Sequence, residues 1–352
     1  MTRLPSLRRT SSTRQAALEH AIDALAHATG IRFEIIEPAV GARAEAVLEL
    51  DGETYDARIR MWVQHAPLTA TIEQIKRHPT GILIADYVSP ERADRFRDAG
   101  VPFLDTAGNA FLKTPRCYVF IKGHPRPRPV PGFGKPLHHP AYTTNGAKVT
   151  FALLCQPVLA GATDAEIANI AGVSLGTVTN VFDDLAETDH VERSRGQRLL
   201  VRREDLLDAW VEHYPETLRP TLSLGLYQTE NTGWWKTFDI NRYGGCWGGE
   251  IAGAVYTKHG EPAEAIVYAP KAMQMQLIAT AHLRKIPRPV GGAGTVALLA
   301  PFWRHHYGPP GLVHPLLAYA DLIASDQPRN ILTARKLYQQ HLRPLVEPPA
   351  AG

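Results

Sequence analysis

Between Thr163 and Val201 the chain spaces its polar residues as a helix-turn-helix does. Thr163 and Glu166 have the separation of a capping box that opens a short helix. Gly172 suits the left-handed residue that closes it, and Ser174 suits the cap of the next helix. In that second helix Val178, Val181, Phe182 and Leu185 fall on one stripe, which turns Thr177 and Asn180 outward. An asparagine near the start of such a helix has the donor and acceptor pair that matches an adenine edge in the major groove, so the chemistry implied is base reading. Ser174 is expected to anchor the helix at the DNA backbone, and Thr177 and Asn180 to reach the bases.

Downstream, Val191-Glu-Arg193 and Leu199-Leu-Val201 are short alternating runs around Gly196, the pattern of a wing hairpin. From Arg193 to Arg203 stand Arg193, Arg195, Arg198, Arg202 and Arg203 with no acid between them, an arrangement for phosphate contact or minor-groove insertion. Lys148 and a basic linker before it would extend the footprint. Asp183, Asp184 and Glu187 lie further along the second helix, where phosphates would repel them. The stretch from Ala141 to Pro215 has more acids than bases, so affinity is expected to come from the wing rather than from bulk charge.

These residues need elements to position them. Lys148 to Cys155 reads as the first helix of the winged domain, and Leu206, Leu207, Trp210, Val211 and Tyr214 form the stripe of a helix under the wing that Pro215 ends. Before it, Gln15 to Thr29 is helical and Gly30 stops it. Arg32 to Ile36 and Ala46 to Leu50 are strand-like, and Asp51-Gly52 is a hairpin turn into a return strand from Tyr55 to Val63. Thr71 to Arg77 and Pro90 to Ala99 are helical, and Gly81 to Ala85, Val101 to Leu104, Ala110 to Leu112 and Tyr118 to Ile121 are strands. Such alternation indicates a layered α/β domain. The run Pro125-Arg-Pro-Arg-Pro-Val-Pro131 is an extended linker. The expected organisation is therefore an α+β multidomain chain: an α/β domain over 1–124, a linker over 125–140, a winged helix-turn-helix over 141–215, and a C-terminal α/β domain over 216–352.

The chain has 352 residues and a net charge of +3. No Asp or Glu occurs from Thr106 to Thr163, while Lys113, Arg116, Lys122, Arg126, Arg128, Lys135 and Lys148 do, which makes a local positive field. Arg3, Arg8, Arg9 and Arg14 read either as a basic arm or as a solvated tail. Cys117, Cys155 and Cys246 stand far apart without metal-ligand spacing, which points to reduced thiols in a cytoplasm. His138-His139 has no ligand partner at useful spacing, so no metal or cofactor is expected. No apolar run approaches a membrane span.

Two enzymatic alternatives stand beside this reading. The order of the first domain is compatible with a restriction-endonuclease-like core, with Glu19, Asp51, Asp56 and Arg58 near the positions of its acids and lysine, but the triplet Asp56-Ala-Arg58 lacks the lysine that metal-dependent cleavage usually employs. An inactive domain of that kind would still offer a surface to a duplex. The C-terminal alternative is a nucleotidyltransferase, yet its glycine cluster, Gly244-Gly-Cys-Trp-Gly-Gly-Glu250, lacks a phosphate-loop lysine and reads as tight packing of a helix start against tryptophans. Asp105-Thr-Ala-Gly-Asn109 is a polar loop whose composition is first of all turn chemistry.

Taken together, Tyr87 to Asn109, the winged helix, Trp247-Gly-Gly-Glu250 and His314-Pro-Leu-Leu-Ala-Tyr-Ala-Asp-Leu322 resemble the AbiEi-type antitoxins of type IV toxin–antitoxin systems. The resemblance implies a transcriptional repressor whose winged helix binds inverted repeats in its own promoter. It also implies a C-terminal domain that antagonises a nucleotidyltransferase-like toxin without forming a stable complex with it. This chain differs from short antitoxins of that type in placing a sizeable α/β domain ahead of the winged helix. The reading reached is a non-enzymatic, sequence-specific regulator of double-stranded DNA that acts as a homodimer on two half-sites.

Overall fold

In the computed structural model, the residues described are 12–36, 46–60, 68–125, 139–194, 196–287, 293–325 and 327–347. The chain divides after residue 137 into two compact units. The winged helix and the C-terminal region thus belong to one unit. Most of the Pro-rich linker, and Arg3, Arg8 and Arg9, lie outside the described residues.

The first unit begins with α1 (Ser12–Thr29), followed by β1 (Glu34–Ile36), β2 (Ala46–Leu50) and β3 (Glu53–Arg60). Next come α2 (Leu68–Lys76), β4 (Gly81–Ala85), α3 (Pro90–Asp98), β5 (Phe103–Asp105), β6 (Ala110–Lys113) and β7 (Tyr118–Ile121). The seven strands pair in sequence order, with β3–β4 and β4–β5 parallel and the others antiparallel. Every residue of β4 is buried, as a strand covered on both faces must be. Ile82 and Ile84 face Leu18, Ala21 and Leu25 of α1, whereas Leu83 and Ala85 face Ile75 of α2 and Ala93 and Phe96 of α3. The β2–β3 connection is tight because Asp51 and Gly52 both take positive φ, 53° and 82°.

The second unit opens with α4 (Thr144–Cys155), α5 (Asp164–Ala171) and α6 (Leu175–Glu187), then β8 (Val191–Ser194) and β9 (Gln197–Leu200), then α7 (Arg203–Thr217). This is the expected winged helix-turn-helix. Pro215 does not end α7, which runs two residues further. A second sheet follows from β10 (Ser223–Gln228), β11 (Cys246–Gly248), α8 (Gly249–Thr257), β12 (Glu264–Tyr268), α9 (Gln274–Thr280), β13 (Arg284–Ile286) and β14 (Thr295–Leu299), and α10 (Pro315–Ala324), α11 (Pro328–Leu337) and α12 (Arg343–Val346) close the unit. The strand order is β11-β12-β14-β10-β13, with only β12–β14 parallel. The glycine cluster is tightly packed at the start of α8 as expected, but its glycines meet Tyr268, Asp321 and Ile266 instead of tryptophans. A side chain at Gly248 would meet the Tyr268 ring at 2.7 Å, and Trp247 packs edge-on to Trp234 with ring centroids 5.2 Å apart. Among the described residues, no helix is long and apolar enough to cross a membrane.

The Asp105 loop shows how the first unit ends its buried strands. Asp105 is fully buried, and its carboxylate accepts from the N–H groups of Val88, Ala107 and Asn109 and from Asn109 Nδ2 at 2.8–2.9 Å. Burial pushes its pKa up to about 6, against the pull of those donors. The folded unit therefore holds a proton that the unfolded chain releases earlier, so the contribution of this group is full at low pH and declines as pH rises toward 6. Amide exchange over residues 103–109, corrected for its intrinsic rate, is expected to lose protection between about pH 4 and about pH 6, by about 3 kcal/mol at most. Asp105→Asn should flatten that slope, and an identical slope in both proteins would contradict the assignment.

Candidate nucleic-acid interface

The helix-turn-helix is built by its caps. Thr163 Oγ1 accepts from Glu166 N at 3.3 Å while Glu166 Oε2 accepts from Thr163 N at 2.9 Å, closing the capping box at the start of α5. Gly172, at φ 66° and ψ 41°, turns the chain out of α5. Ser174 Oγ then accepts from Thr177 N at 3.2 Å and starts α6. Val178, Val181, Phe182 and Leu185 are buried, so the rotation of α6 about its axis is fixed by packing. Ser174 and Asn180 are exposed and Thr177 is half-buried, its hydroxyl 2.9 Å from that of Ser174. Asn180 makes no side-chain hydrogen bond among the described residues, which leaves its amide available to an external partner.

Asp184 differs from the expectation. It points inward, accepting from His139 Nδ1 at 2.7 Å and from Ala141 N at 3.0 Å, and so ties the entry of the unit to α6. His139 is accordingly half of a structural pair. Asp183 and Glu187 do stand exposed at the far end of the helix.

The wing places its arginines in different roles. Arg193 is exposed on β8, directly across the ladder from Arg198 on β9. Arg198 is not a free cation: Nε donates to Ala160 O at 3.0 Å, and the terminal nitrogens donate to Asp164 Oδ1 and Ala162 O, each at 2.6 Å. Its guanidinium also lies 3.7 Å from the centroid of the Phe182 ring. All three of its nitrogens are engaged, so Arg198 clamps the wing to the start of α5 instead of reaching phosphate. Arg202 and Arg203 likewise leave the wing. Arg202 takes φ 47° before α7 and pairs with Asp205 at 2.8 Å, and Arg203 donates to Glu347 O at 3.3 Å. Lys148 is half-buried on α4, with Nζ 3.2 Å from Asn145 Oδ1. Arg195 lies outside the described residues. Of the arginines expected at the wing, the one that the described residues leave outward-facing is Arg193.

Sequence reasoning missed Arg304, whose exposed side chain lies against the turn between α5 and α6; Nη1 donates to Asn169 Oδ1 at 3.3 Å. Nothing in the local sequence signals this, because the contact spans 135 positions. In the first unit, two of the positions compared with a nuclease, Asp56 and Arg58, are engaged internally, whereas Glu19 and Asp51 are exposed. Asp56 Oδ2 accepts from Thr80 Oγ1 at 2.7 Å, and the buried Arg58 guanidinium stands 2.9 Å from the His78 ring.

Residues 198–343 match a family model described as "Transcriptional regulator, AbiEi antitoxin, Type IV TA system". The matched stretch starts in β9 and takes in α7, the whole second sheet, α10 and α11. No curated protein and no solved structure matches the chain.

The two wing arginines should separate by stability. Arg198→Ala removes three hydrogen bonds and a ring contact and strips Asp164 of its cation, and is expected to cost about 2–4 kcal/mol in denaturant unfolding. Arg193→Ala, at an exposed position, should stay within about 0.5 kcal/mol of the parent. Equal losses for the pair would contradict the clamp.

Proposed function

We propose, from the match of residues 198–343 to the AbiEi antitoxins that regulate transcription in type IV toxin–antitoxin systems, that this chain is a sequence-specific repressor that binds double-stranded DNA through its winged helix. The observation that carries the reading is the outward face of α6. Ser174, Thr177 and Asn180 line it, the buried stripe behind them holds it still, and Asn180 is unengaged. An amide held on a rigid helix at the position that enters a major groove suits bidentate pairing with adenine. Ser174 anchors the start of the helix at the DNA backbone, Thr177 contributes to base reading, and Arg193 with Arg195 holds phosphates beside the groove. One winged helix reads too few bases for a specific operator. The reading therefore includes a homodimer on an inverted repeat upstream of its own gene, in the cytoplasm, acting without an enzymatic step of its own. Antagonism of a nucleotidyltransferase-like toxin is the second half of the proposal; the family match supports an antitoxin role in general terms, and the chemistry of the toxin belongs to the proposal alone.

Binding is tested by titrating the full chain against DNA from upstream of its own gene and against random duplex. Asn180→Ala is expected to cost about 1–3 kcal/mol on the operator and little on random DNA. Arg193→Ala should weaken both alike and lower the salt slope by about one. Losses of equal size on the two DNAs for Asn180→Ala would defeat the assignment of base reading.

A further inference from the structure

The helix-turn-helix carries no charge of its own where a duplex would approach. Between Glu166 and Asp183 there is no Asp, Glu, Lys or Arg, and at the far end of α6 the exposed side chains of Asp183 and Glu187 are acidic. A cation reaches this neutral surface from elsewhere in the chain. Arg304 lies in the segment between β14 and α10, and its side chain runs across Gly172, where a Cβ would stand 3.1 Å from Nε and 3.6 Å from Cδ and Cγ. Gly172 is favoured by its positive φ, and its lack of a side chain lets the arginine lie close against the turn.

The segment that delivers Arg304 is fastened on both sides. Phe302 and Tyr307 set their rings edge-on to Phe151 of α4, at 5.0 and 5.9 Å, and Trp303 lies 5.4 Å from the Tyr268 ring. The backbone that carries Arg304 is therefore held by packing, and its guanidinium is placed at the turn by the bond to Asn169. That bond goes to a neutral amide. Among the described residues Arg304 meets no carboxylate, and it is exposed. A fixed, exposed guanidinium without a counter-charge, beside a polar helix that faces DNA, has the chemistry of a phosphate contact.

We propose that Arg304 binds a backbone phosphate of the same duplex that α6 reads, so that the C-terminal region takes part directly in DNA binding. The inference rests on the DNA-binding reading above and adds to it a contact from outside the winged helix. It also accounts for how a winged helix with more acids than bases approaches a polyanion: the positive charge comes from the wing and from the segment before α10, which brings Arg304 to the turn ahead of α6.

The test uses the full chain and fluorescence anisotropy on the upstream fragment and on a random duplex of equal length, over a series of salt concentrations. Arg304→Ala is expected to weaken both DNAs alike, by about 5- to 20-fold at moderate salt, to lower the salt slope by about one, and to leave the ratio between the two DNAs unchanged. Arg304→Lys should recover part of the loss. Asn169→Ala removes the hydrogen bond alone and should keep the parental slope, which separates a phosphate contact from a merely structural role. Parental affinity and slope in Arg304→Ala, with specificity still lost in Asn180→Ala, would overturn this inference and leave the DNA-binding reading standing. Absence of salt-dependent binding by the parent to either DNA would overturn both.

Discussion

The second unit depends on one buried carboxylate. Asp321, in the middle of α10, is 2 % exposed and accepts from Tyr214 Oη at 3.0 Å and Tyr268 Oη at 2.9 Å, with Arg219 Nε 3.4 Å away. The two tyrosine oxygens are themselves 2.7 Å apart. These partners come from α7, from β12, from the connection after α7 and from α10, so a single polar centre joins the last helix of the winged domain to the sheet of the C-terminal region. Burial pushes Asp321 up and Arg219 and the hydroxyls pull it back. Two hydroxyl protons must serve three short oxygen contacts when the carboxyl is ionised, so the arrangement has little slack. Replacing one member would strand the others away from water, which is the costly way to lose a buried polar group. Gly248 completes the fit, because a Cβ there would meet the Tyr268 ring at 2.7 Å and Asp321 Oδ2 at 2.9 Å.

That centre explains why a winged helix and a C-terminal sheet make one body. Trp210, stacked on Tyr214 at 5.0 Å, donates through Nε1 to Ala147 O at 2.8 Å, which extends the same helix face into α4. Tyr338 Oη donates to Glu204 Oε1 at 2.6 Å at the other end of α7. The helix under the wing is therefore bonded along its length to both halves of the unit. The family match, which begins in β9, coincides with this organisation: Arg198 lies at its first residue and reaches back to α5, which precedes it.

Much of this architecture was legible in the sequence, and the parts that were not share a physical cause. The strands Ala46–Leu50 and Gly81–Ala85, the capping box, the αL glycine and the buried stripe of α6 all follow from local rules, because each is fixed by neighbours within a few positions. The strands β10, β11 and β13 did not declare themselves. In β10 the register shifts between Ser223 and Gly225, which breaks the alternation a strand is read by. In β13, Arg284 and Lys285 are exposed on a strand that pairs only with β10, and such charged edges lack an apolar pattern by design. The inward turn of Asp184 was equally silent, since its partners His139 and Ala141 stand more than forty positions away.

The candidate site was legible on its helix and misleading on its wing, and the difference is between position and count. On α6 the periodicity decides which residues face out, so Ser174, Thr177 and Asn180 could be chosen from spacing alone. In the wing a run of arginines without acids looked like one electrostatic surface, but a guanidinium serves whichever acceptors the fold brings to it. Asp164 and the carbonyls of Ala160 and Ala162 claim Arg198, Asp205 claims Arg202, and Glu347 O accepts from Arg203. Arg193, the ladder partner of Arg198, is exposed and has no carboxylate partner among the described residues. The positive surface is therefore defined by subtraction, as the arginines left over once folding has used the rest, and that remainder includes a residue such as Arg304 that no local charge run contains.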